Sequence, residues 1–586
     1  MTNNEIAKLF RDVAASYSIK NEAKFRFQLL AYQKAADAVD GLTTQVTDLY
    51  KEGRLEEIPG VGPTIRQRLE ELLKTGKVKH FDEVMKGIPK AVFVLMQIPS
   101  FGPKKAYRLS EHFKLDNPKT AIEELEKHAK KGEIAPLEGF GEKSEKDVLR
   151  AISEFKEGKG KTTRMLLPYA AEIAEQLIVY LKKSRDVEEA ETLGSLRRMK
   201  PTVGDLDVAV ASDKPKEVIE YFNSYPYKER TIEKGPATSS IMISGGHQVD
   251  LMVVSPMQFG SLLQHFTGSK NHNVHLREIA LKNGLSLNEK GIKNLKSEKL
   301  SKYKTEVEFY SAIGMQTPPP EIREDTGEIE LAAEHNLPKI IELSDIKGEF
   351  HIHSSFPIEP SHDLGRNSIS EMLTTAKSLN YQYLGFSEHN PSQSKHTKGQ
   401  ILDLIRARNE ELEAQTDLHG VKVFRLMETD ILPNGTLALP DEALDLLDGS
   451  IVSIHSVFSM NKSDMTKRVL AGLSHPKAKI LAHPTGRLIN IRSGYDLDFD
   501  QIFEFCKKNN KAIEINSQPV RMDLSDSLIR RAVETGVKMV IDTDSHASDQ
   551  MKFMRYGISQ ARRGWAKKSD IINALDYKNV ASWLKT

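Results

Sequence analysis

The stretch that decides the fold is Gly194-Ser195-Leu196-Arg197-Arg198 followed by Gly204-Asp205-Leu206-Asp207-Val208-Ala209-Val210. Its second part predicts an apolar strand on which Asp205 and Asp207 point to one face, because side chains two apart on a strand share a face. Carboxylates this close repel each other unless a cation lies between them. Gly194 and Ser195 offer N–H groups and a hydroxyl, and Arg198 offers a guanidinium suited to phosphate. The pattern predicts metal-assisted phosphoryl transfer; the alternative is a surface Asp-x-Asp beside an ordinary turn.

Length and composition narrow the class of protein. A chain of 586 residues is expected to fold as several domains with separate cores. Its single cysteine, Cys506, excludes an intramolecular disulfide framework and a multi-cysteine zinc site, which fits a reducing compartment. We find no apolar run long enough to span a bilayer and no signal peptide, so a cytoplasmic protein is expected. Residues 1–316 hold 50 Lys and Arg against 44 Asp and Glu, an excess that permits nucleic-acid contact without establishing it.

Two similar glycine-containing turns precede predicted helices in the N-terminal part. They are Ile58-Pro59-Gly60-Val61-Gly62-Pro63 and Ile98-Pro99-Ser100-Phe101-Gly102-Pro103, with a weaker third copy at Leu137–Glu142. Such turns expose N–H groups at a helix N-terminus, where a DNA phosphate binds without sequence readout. We therefore expect Gly60, Val61, Gly62 and Gly102 to contact DNA; the alternative is a purely structural helix–helix turn.

A third carboxylate follows the Asp-x-Asp pair on a second apolar strand, His247–Val254. Adjacent strands of one sheet would place this residue, Asp250, beside the pair, although an ordinary strand-end aspartate is the alternative. Three carboxylates can hold two divalent ions about 3.5–4 Å apart. The turn Phe266-Thr267-Gly268-Ser269 then leads into a helix, and Asn273 on that helix could hydrogen-bond a base edge.

A second set of chemically active residues is predicted after Pro318-Pro319-Pro320. In His351-Ile352-His353, two histidines share one face of a strand and can bind one metal ion. Predicted strand ends then carry further candidates, namely His389, Glu428, His455, His483, Asp544 and His546. Helical stretches between these strands predict a parallel barrel, whose site lies at the C-terminal strand ends. The pattern predicts a multinuclear metal centre; the alternative is that the histidines have only structural roles.

On these motifs, residues 1–316 resemble a family X DNA polymerase of the beta type. The resemblance implies a DNA-binding N-terminal domain, a palm and a nucleotide-selecting subdomain. By the resemblance, Asp205, Asp207 and Asp250 bind two metal ions, and Asp250 helps to activate the primer 3′-hydroxyl. The residues implied to face the nucleotide are Gly194, Ser195, Arg198, Gly268 and Ser269. Asn273 and Arg277 are implied to contact the base and the template.

Two departures from that family pattern affect the expected activity. The family often has Tyr before Phe-Thr-Gly-Ser, packed against the sugar, where this chain has His265. Some members form a Schiff base to an abasic sugar through a lysine after the first hairpin, where this chain has Thr64 and Arg68. Because arginine stays protonated, it cannot serve as the amine nucleophile, and we expect no lyase activity from this helix.

Residues of about 348–575 resemble a PHP (polymerase and histidinol phosphatase) domain. That family folds as a seven-stranded distorted barrel and cleaves phosphoesters with a hydroxide generated at three metal ions, held by nine ligands. The resemblance assigns eight ligands: His351, His353, His389, Glu428, His455, His483, Asp544 and His546. The ninth is expected to be Asp363 in the longer loop 354–365, and Glu388 replaces the family's usual Asp before His389. Arg487 and Arg492 are candidates for binding the substrate phosphate or for ordinary ion pairs.

The expected fold is therefore multidomain, with α+β and α/β parts. Its predicted order is a helical DNA-binding domain with the first helix-hairpin-helix (1–80), a second helix-hairpin-helix region (81–160), a beta-type nucleotidyltransferase palm (161–257), a thumb-like nucleotide-selecting subdomain (258–317), a linker (318–347), a PHP domain built as a distorted (β/α)7 barrel (348–575) and a C-terminal tail (576–586). Together these parts resemble the arrangement of bacterial and archaeal family X polymerases that carry a C-terminal PHP domain.

The resemblance implies a DNA repair enzyme. Its palm would fill short gaps with two Mg²⁺ or Mn²⁺ ions. Its PHP domain would act as a 3′-5′ exonuclease with two to three Mn²⁺ or Zn²⁺ ions, and is a candidate for abasic-site cleavage and 3′-end cleaning. The expected partners are gapped or nicked double-stranded DNA and dNTPs, bound by a monomer that contacts no membrane. The alternatives are a polymerase fused to a small-molecule phosphatase, and a DNA-end binding protein whose palm has decayed.

Overall fold

The computed structural model describes residues 1, 3–40, 46–51, 53–58, 61–98, 101–156, 164–243, 247–492 and 494–586. Gly60, which we predicted as a DNA contact, lies outside the described residues, as do Pro59, Pro99 and Ser100 of the two hairpins. Within the described part of the chain, no helix combines the length and the hydropathy needed to cross a membrane.

The N-terminal part is helical and has two hydrophobic cores, one under α1–α5 and one under α6–α9. Its helices are α1 Asn3–Asn21, α2 Arg26–Asp40, α3 Val46–Lys51, α4 Pro63–Thr75, α5 Lys79–Met85, α6 Lys90–Leu95, α7 Pro103–Phe113, α8 Ala121–Lys130 and α9 Glu142–Lys156. Both predicted hairpins end where expected, because Gly62 and Gly102 cap α4 and α7 and each helix begins with proline. The fixed φ of proline suits the first helical turn, where its missing N–H has no partner to lose.

A five-stranded mixed sheet forms the palm, in the order β2-β4-β7-β6-β5. Its elements are β1 Met165–Leu166, α10 Leu167–Leu181, β2 Glu189–Thr192, α11 Gly194–Arg197, β3 Thr202–Val203, β4 Leu206–Ala211, α12 Pro215–Asn223, β5 Lys228–Lys234, β6 Thr238–Ile243 and β7 His247–Val254. The apolar strands β4 and β7 are parallel neighbours inside the sheet. The charged strand β5 lies at the edge, where lysine and glutamate oppose pairing with another chain.

The thumb-like subdomain follows and packs on the palm through Phe259, Leu262 and Leu263. Its elements are α13 Phe259–Thr267, α14 Lys270–Lys282, β8 Leu285–Asn288, β9 Gly291–Asn294, β10 Leu300–Ser301, α15 Glu306–Ala312 and α16 Glu328–Ala333. The close packing depends on Gly260, where an added Cβ would lie 2.3 Å from the backbone oxygen of Thr305.

The segment 318–347, which we expected to be a linker, is folded and packed. It contains α16 and a short 3-10 helix at Pro320–Ile322, and Arg323 within it is fully buried. The Arg323 guanidinium forms an ion pair with Glu306 and lies 5.2 Å from the centre of the Tyr310 ring. A buried charge needs such a partner, and this partner is distant in sequence, so local composition could not reveal it.

The C-terminal half is a closed parallel barrel. Its elements are β11 Gly348–Ile352, α17 Ile369–Ser378, β12 Tyr383–Phe386, α18 Lys398–His419, β13 Lys422–Arg425, β14 Glu428–Asp430, α19 Asp441–Leu444, β15 Ser450–Ser453, α20 Lys462–Leu473, β16 Ala478–Leu481, α21 Phe499–Lys508, β17 Ala512–Asn516, α22 Asp526–Thr535, β18 Lys538–Asp542, α23 Met554–Arg563 and α24 Tyr577–Lys585. Strands β13 and β14 act as one interrupted strand that pairs with β12 and then with β15. A bridge between Ile352 and Ser545 joins β11 to the end of β18. The predicted distorted (β/α)7 barrel is therefore confirmed.

The barrel packs directly against the palm. Met522 and Tyr556 of the barrel are buried in the same hydrophobic cluster as Leu167 and Leu177 of the palm. Arg563 of α23 is almost fully buried and donates a hydrogen bond of 2.8 Å to the carbonyl oxygen of Arg198. The palm and the barrel thus share a core.

The C-terminal segment 576–586 also packs, because α24 closes one end of the barrel. Val580, Trp583 and Leu584 are buried there, and the Trp583 ring centre lies 6.1 Å from that of Phe350. The indole N–H of Trp583 donates a 3.0 Å hydrogen bond to the carbonyl oxygen of Asn510.

We expect Trp583→Ala to lower the free energy of unfolding of the barrel by about 3–5 kcal/mol, because it removes a large buried side chain and leaves a cavity. Chemical denaturation followed by circular dichroism measures the change. Lys585→Ala, an exposed change in the same helix, is the control and should change stability by less than about 0.5 kcal/mol. Equal stability of the two variants would contradict the packing of α24.

Candidate active sites

Three carboxylates lie near one another at the palm sheet. Asp207 lies on β4 directly opposite Asp250 on β7, and Asp205 immediately precedes β4. Asp250 is held by the Ser240 hydroxyl and by Gln248, whose Nε2 lies 2.9 Å from Oδ1 of Asp250. Neither holding residue was predicted; Gln248, two positions before Asp250 on the same strand, could have been found from the period of the strand.

The electrostatics of this face favour a cation. Burial, together with the negative charges of Asp250 and Asp205, raises the pKa of Asp207 to about 6. A divalent ion between the carboxylates would remove this repulsion. The residues present therefore fit a divalent metal site, as the sequence predicts.

Gly194 begins α11 beside these carboxylates. A Cβ added to Gly194 would lie 2.8 Å from Oδ2 of Asp207, and the residue has a φ of +57°. Both observations require glycine at this position. The turn places the predicted phosphate-binding residue Ser195 next to the carboxylate face, in the first turn of α11.

Arg198 is engaged in this state of the protein. Its Nε lies 3.0 Å from Oε1 of Glu324, and its Nη1 donates to the carbonyl oxygen of Thr267. Glu324 also contacts Lys200 and Arg563, each at 3.1 Å. A phosphate that binds Arg198 would compete with the Glu324 carboxylate, a contact that sequence reasoning missed.

The predicted nucleotide-facing turn joins α13 to α14. Ser269 caps α14 by accepting a hydrogen bond from the N–H of His272, and Gly268 has a φ of +71°. The Asn273 amide donates 2.6 Å to the carbonyl of His265 and accepts 2.9 Å from Gln264, so in this state it ties α14 to α13 instead of facing open space. The predicted contact of Asn273 with a base stays a prediction.

Arg277 and His265 lie near the same junction. Arg277 donates a 3.1 Å hydrogen bond to the carbonyl of Asn273. The His265 ring lies 4.9 Å from the ring of Phe266, and burial lowers its pKa. The predicted template contact of Arg277 is not tested by these contacts.

The two hairpins present open surfaces. A Cβ added to Gly62 or Gly102 would meet no atom within 4 Å. Val61 is buried in the first core, and its N–H donates a hydrogen bond to the carbonyl oxygen of Ile58 inside the turn, so its predicted contact with DNA stays a prediction. After the first hairpin, Arg68 donates a hydrogen bond to the Tyr32 hydroxyl. The expected absence of lyase activity from this helix stays a prediction.

The barrel gathers the eight histidine and carboxylate candidates of the sequence at the C-terminal ends of its strands. Glu428 is the shared contact. Its carboxylate oxygens lie 3.1 Å from Nε2 of His351, 2.9 Å from Nδ1 of His389 and 2.9 Å from Nε2 of His483. Asp544 lies 3.3 Å from Nε2 of His353.

Further contacts complete this cluster. His455 Nε2 lies 3.3 Å from Glu428, and the His353 and His546 rings stack with centres 4.0 Å apart. The ligand atoms of His351, His353, Glu428 and Asp544 lie within 4.8 Å of one another, as do those of His353, His389 and His546. These are two groups of the size that one metal ion requires.

Several buried atoms in this cluster have charged neighbours close by but form no hydrogen bond of acceptable geometry. They are Nε2 of His351, both ring nitrogens of His353, Nδ1 of His389 and Oε2 of Glu428. Unpaired buried polar atoms of this kind are costly unless an ion binds them. The set of donors therefore fits transition-metal ions such as Mn²⁺ or Zn²⁺.

Burial and neighbouring charges shift the pKa values of Glu428 and His351 in opposite directions. Burial alone would raise the pKa of Glu428, but the neighbouring histidines His389 and His351 hold it well below its usual value. Burial alone would lower the pKa of His351, but Asp544, Glu514 and Glu428 raise it well above. Burial lowers the pKa of His353, and the neighbouring histidines lower it further, which keeps this ring neutral and able to bind a metal ion.

The loop 354–365 differs from its prediction. The carboxylate of Asp363 forms a 2.8 Å ion pair with Lys34 of α2 and belongs to none of the metal-binding groups among the described residues. Its neighbour His362 instead contacts Asp430 at 2.9 Å. Gly365 returns the loop to the cluster, since an added Cβ would lie 2.1 Å from the carbonyl oxygen of His353. The metal-binding role of Asp363 remains a prediction.

Sequence reasoning also missed Glu514 and the role of Glu388. Glu514 contacts Nδ1 of His351 at 2.6 Å and accepts 2.5 Å from the N–H of His483. The sequence feature that could have identified Glu514 is its position as a single carboxylate inside the apolar strand β17. Glu388 pairs with the fully buried Arg408, which explains the longer carboxylate at this position.

Arg487 and Arg492 have structural contacts. Arg487 donates 2.9 Å to the carbonyl of Arg521, and Arg492 donates 3.0 Å to the carbonyl of Gly486. Of the two alternatives, these contacts favour a structural role. Arg521 comes closer to the cluster, with its Nε 3.7 Å from Oδ2 of Asp544.

Divalent-ion binding to the palm is expected to weaken as the pH falls through about 6, because protons then compete for Asp207. In the metal-free chain, the raised pKa of Asp207 makes the folded state more stable at low pH, whereas metal binding is weaker at low pH. It adds stability below the ordinary pKa of aspartate, and this stability is lost as the pH rises through about 6. Calorimetric Mn²⁺ titration of a His351→Ala, His353→Ala chain isolates the palm.

In Asp250→Asn the midpoint of this pH dependence should move to a lower pH, because one repulsive charge is gone. Asp213→Asn, an exposed aspartate of the palm, is the control and should leave the midpoint in place. An unmoved midpoint in Asp250→Asn would contradict the electrostatic coupling of the carboxylates.

Comparisons with known proteins identify relatives of several parts of the chain. Residues 262–324 match the DNA polymerase beta thumb family and residues 1–78 match a helix-hairpin-helix domain. The chain is 23% identical to DNA polymerase lambda of Rattus norvegicus over 49% of this chain and 48% of that protein. It is 26% identical to a probable phosphatase of Caldicellulosiruptor saccharolyticus over 31% of this chain and 74% of that protein.

The similarity to one relative extends over the whole chain. The DNA polymerase/3′-5′ exonuclease PolX of Bacillus subtilis (strain 168) is 32% identical over 588 aligned positions, which cover 100% of both chains. This match unites the helical domain, the palm, the thumb and the barrel in one known arrangement, so the chain belongs to the PolX family of DNA polymerases.

Proposed function

We propose that this chain is a DNA repair enzyme that fills short gaps with its palm and removes nucleotides from 3′ ends with its barrel. The observation that supports the proposal is two separate groups of candidate metal ligands. They are Asp205, Asp207 and Asp250 at the palm sheet and the histidine cluster around Glu428. The relative in Bacillus subtilis bears the name of both activities.

In the palm, the three carboxylates would hold two ions, Mg²⁺ or Mn²⁺. Such ions lower the pKa of an attacking hydroxyl and neutralise charge on the transferred phosphoryl group. Ser240 and Gln248 fix the Asp250 carboxylate, which would orient the primer 3′-hydroxyl and take up its proton. The turn at Gly194 and Ser195 would place N–H groups and a hydroxyl on the triphosphate.

In the barrel, two to three Mn²⁺ or Zn²⁺ ions would be held by the eight histidine and carboxylate ligands, with Asp363 as a further candidate. When bound, such ions make water a nucleophile at neutral pH. The chain's own contribution is the fixed ring orientation of His351, set by Glu514, and the burial of Glu428 and His353 away from water. Abasic-site cleavage and 3′-end cleaning would use the same site.

Substrate binding would begin at the hairpins. N–H groups at Gly62 and Gly102 would bind the backbone of gapped or nicked double-stranded DNA. The N–H of Val61 already donates to the carbonyl oxygen of Ile58, and the predicted contact of Gly60 lies outside the described residues. The open space around Gly62 and Gly102 supports this role. We propose that the chain acts as a monomer in the cytoplasm.

A second candidate function assigns the barrel to small-molecule phosphoesters. It is favoured by the similarity of the barrel to two probable phosphatases, from Caldicellulosiruptor saccharolyticus and Photobacterium profundum. Hydrolysis of free phosphomonoesters, without release of nucleotides from DNA, would favour this candidate. A decayed palm is disfavoured by the convergence of its three carboxylates.

Gapped DNA with a labelled primer separates the two proposed activities. We expect Asp205→Ala, Asp207→Ala to reduce primer extension by about a thousandfold or more while 3′-end degradation continues, because loss of the ions removes several kcal/mol of transition-state stabilisation. We expect His351→Ala, His353→Ala to have the reverse effect.

Asp213→Ala in the palm and His475→Ala in the barrel are matched controls outside the two clusters, and both activities should persist in them. Extension that survives in the first double variant, or degradation that survives in the second, would defeat the corresponding assignment.

Glu324→Gln is expected to lower the KM for dNTPs three- to tenfold, or about 1 kcal/mol, because a neutral amide competes less well with a triphosphate for Arg198. Steady-state kinetics on a primed gap measures the change. Glu321→Gln removes a charge from the same segment, where the carboxylate pairs with Arg562, and should leave the KM unchanged. An unchanged or higher KM in Glu324→Gln would show that Arg198 keeps its carboxylate partner during catalysis.

A further inference from the structure

Asp430 joins two histidines beside the barrel cluster. Its Oδ1 lies 2.6 Å from Nδ1 of His455, and its Oδ2 lies 2.9 Å from Nε2 of His362. Asp430 itself is fixed by its backbone, whose N–H donates 3.0 Å to Oδ1 of Asn390 and whose carbonyl accepts 2.9 Å from the N–H of Ala438. The carboxylate therefore has a defined position between a strand end and the loop 354–365.

The two nitrogens of His455 face different carboxylates. Nδ1 faces Asp430, whereas Nε2 faces Glu428 at 3.3 Å. A neutral imidazole carries a proton on one nitrogen and a lone pair on the other. If Nδ1–H donates to Asp430, the lone pair of Nε2 points towards Glu428 and the other ligand atoms, where a metal ion would bind.

A second pair in the cluster has the same geometry. Nδ1 of His351 contacts Glu514 at 2.6 Å, while its Nε2 faces Glu428 at 3.1 Å. Carboxylates that accept the distal N–H of a histidine fix its tautomer and orientation and increase its basicity as a ligand. Asp430 and Glu514 therefore stand in equivalent relations to two different histidines.

We propose that Asp430 is a positioning residue that fixes the ring of His455 for metal binding and, through His362, fastens the loop 354–365 beside the metal centre. The proposal rests on the proposed function of the barrel as a metal-dependent site. It names Asp430 as a residue that acts through His455 and does not bind the ion.

The alternative is a separate metal ion held by His362, Asp430 and His455, whose ligand atoms also lie within 4.8 Å of one another. Such an ion would bind the lone pair on Nδ1 of His455. The proton of the neutral ring would then be on Nε2, which faces Glu428. This would remove His455 from the main cluster. The hydrogen-bond arrangement keeps His455 in that cluster and uses both oxygens of Asp430.

A double-mutant cycle for Mn²⁺ binding tests the proposal. The full chain carries Asp205→Ala and Asp207→Ala throughout, so that only the barrel binds ions tightly. We expect Asp430→Ala to weaken Mn²⁺ binding by about 10- to 100-fold, and to have little further effect when His455→Ala is already present. Asp430→Asn should recover much of the affinity, because its amide oxygen can still accept the Nδ1–H.

Equal losses from Asp430→Ala with and without His455 would overturn the proposal, since Asp430 would then act independently of that ring. Loss of one bound Mn²⁺ per chain in His362→Ala, measured by equilibrium dialysis, would also overturn it, in favour of a separate ion. Asp448→Ala is the matched control: this barrel carboxylate pairs with Arg425 and should not affect Mn²⁺ binding.

The Mn²⁺-binding cycle and the DNA assay test two different proposals, and each proposal can be contradicted without the other. If the chain with its natural palm releases no nucleotides from DNA while the coupling between Asp430 and His455 is observed, only the proposed exonuclease function fails. If DNA is degraded and the coupling is absent, only the positioning role fails. Melting temperatures near that of the parent chain in all variants show that the fold is retained.

Discussion

Repulsion between carboxylates is the constraint on which the palm depends. Asp207 and Asp250 lie opposite each other on parallel strands, and burial with this repulsion raises the pKa of Asp207 to about 6. A fold that only had to be stable would gain from replacing one of them. The sheet keeps them together, Gly194 leaves them room, and Gln248 holds one of them in place. The folded chain therefore favours binding of a cation between these carboxylates.

In the barrel, the neighbouring charges shift a buried carboxylate pKa in the opposite direction from the palm. Glu428 is a single buried carboxylate surrounded by histidines, and its pKa is held well below its usual value although burial alone would raise it. The surrounding rings cannot all carry a proton, because they would repel one another, and His353 is accordingly kept neutral. Charge balance without an ion thus depends on partial protonation, whereas ions would satisfy the unpaired nitrogens directly.

The parts of both sites that could be predicted from sequence are those with a short period. Asp205 and Asp207, and His351 and His353, lie two residues apart on strands, so their common face follows from backbone geometry. The third carboxylate and the other strand-end ligands followed once a sheet and a barrel were expected. Contacts such as Arg323 with Glu306 or Lys34 with Asp363 join residues distant in sequence. No local pattern encodes them, so the packing of the segment 318–347 could not be predicted from its sequence.

The shared core of palm and barrel constrains how the two sites can cooperate. Met522 and Tyr556 extend the palm core into the barrel, and the buried Arg563 contacts both Arg198 and Glu324. Hinged motion between these parts would expose apolar surface and leave the Arg563 charge without its partners, which is costly in a buried environment. These contacts therefore oppose a hinge between palm and barrel, so transfer of a DNA 3′ end between the two proposed sites would depend on movement or rebinding of the DNA and not on a change in the distance between the sites.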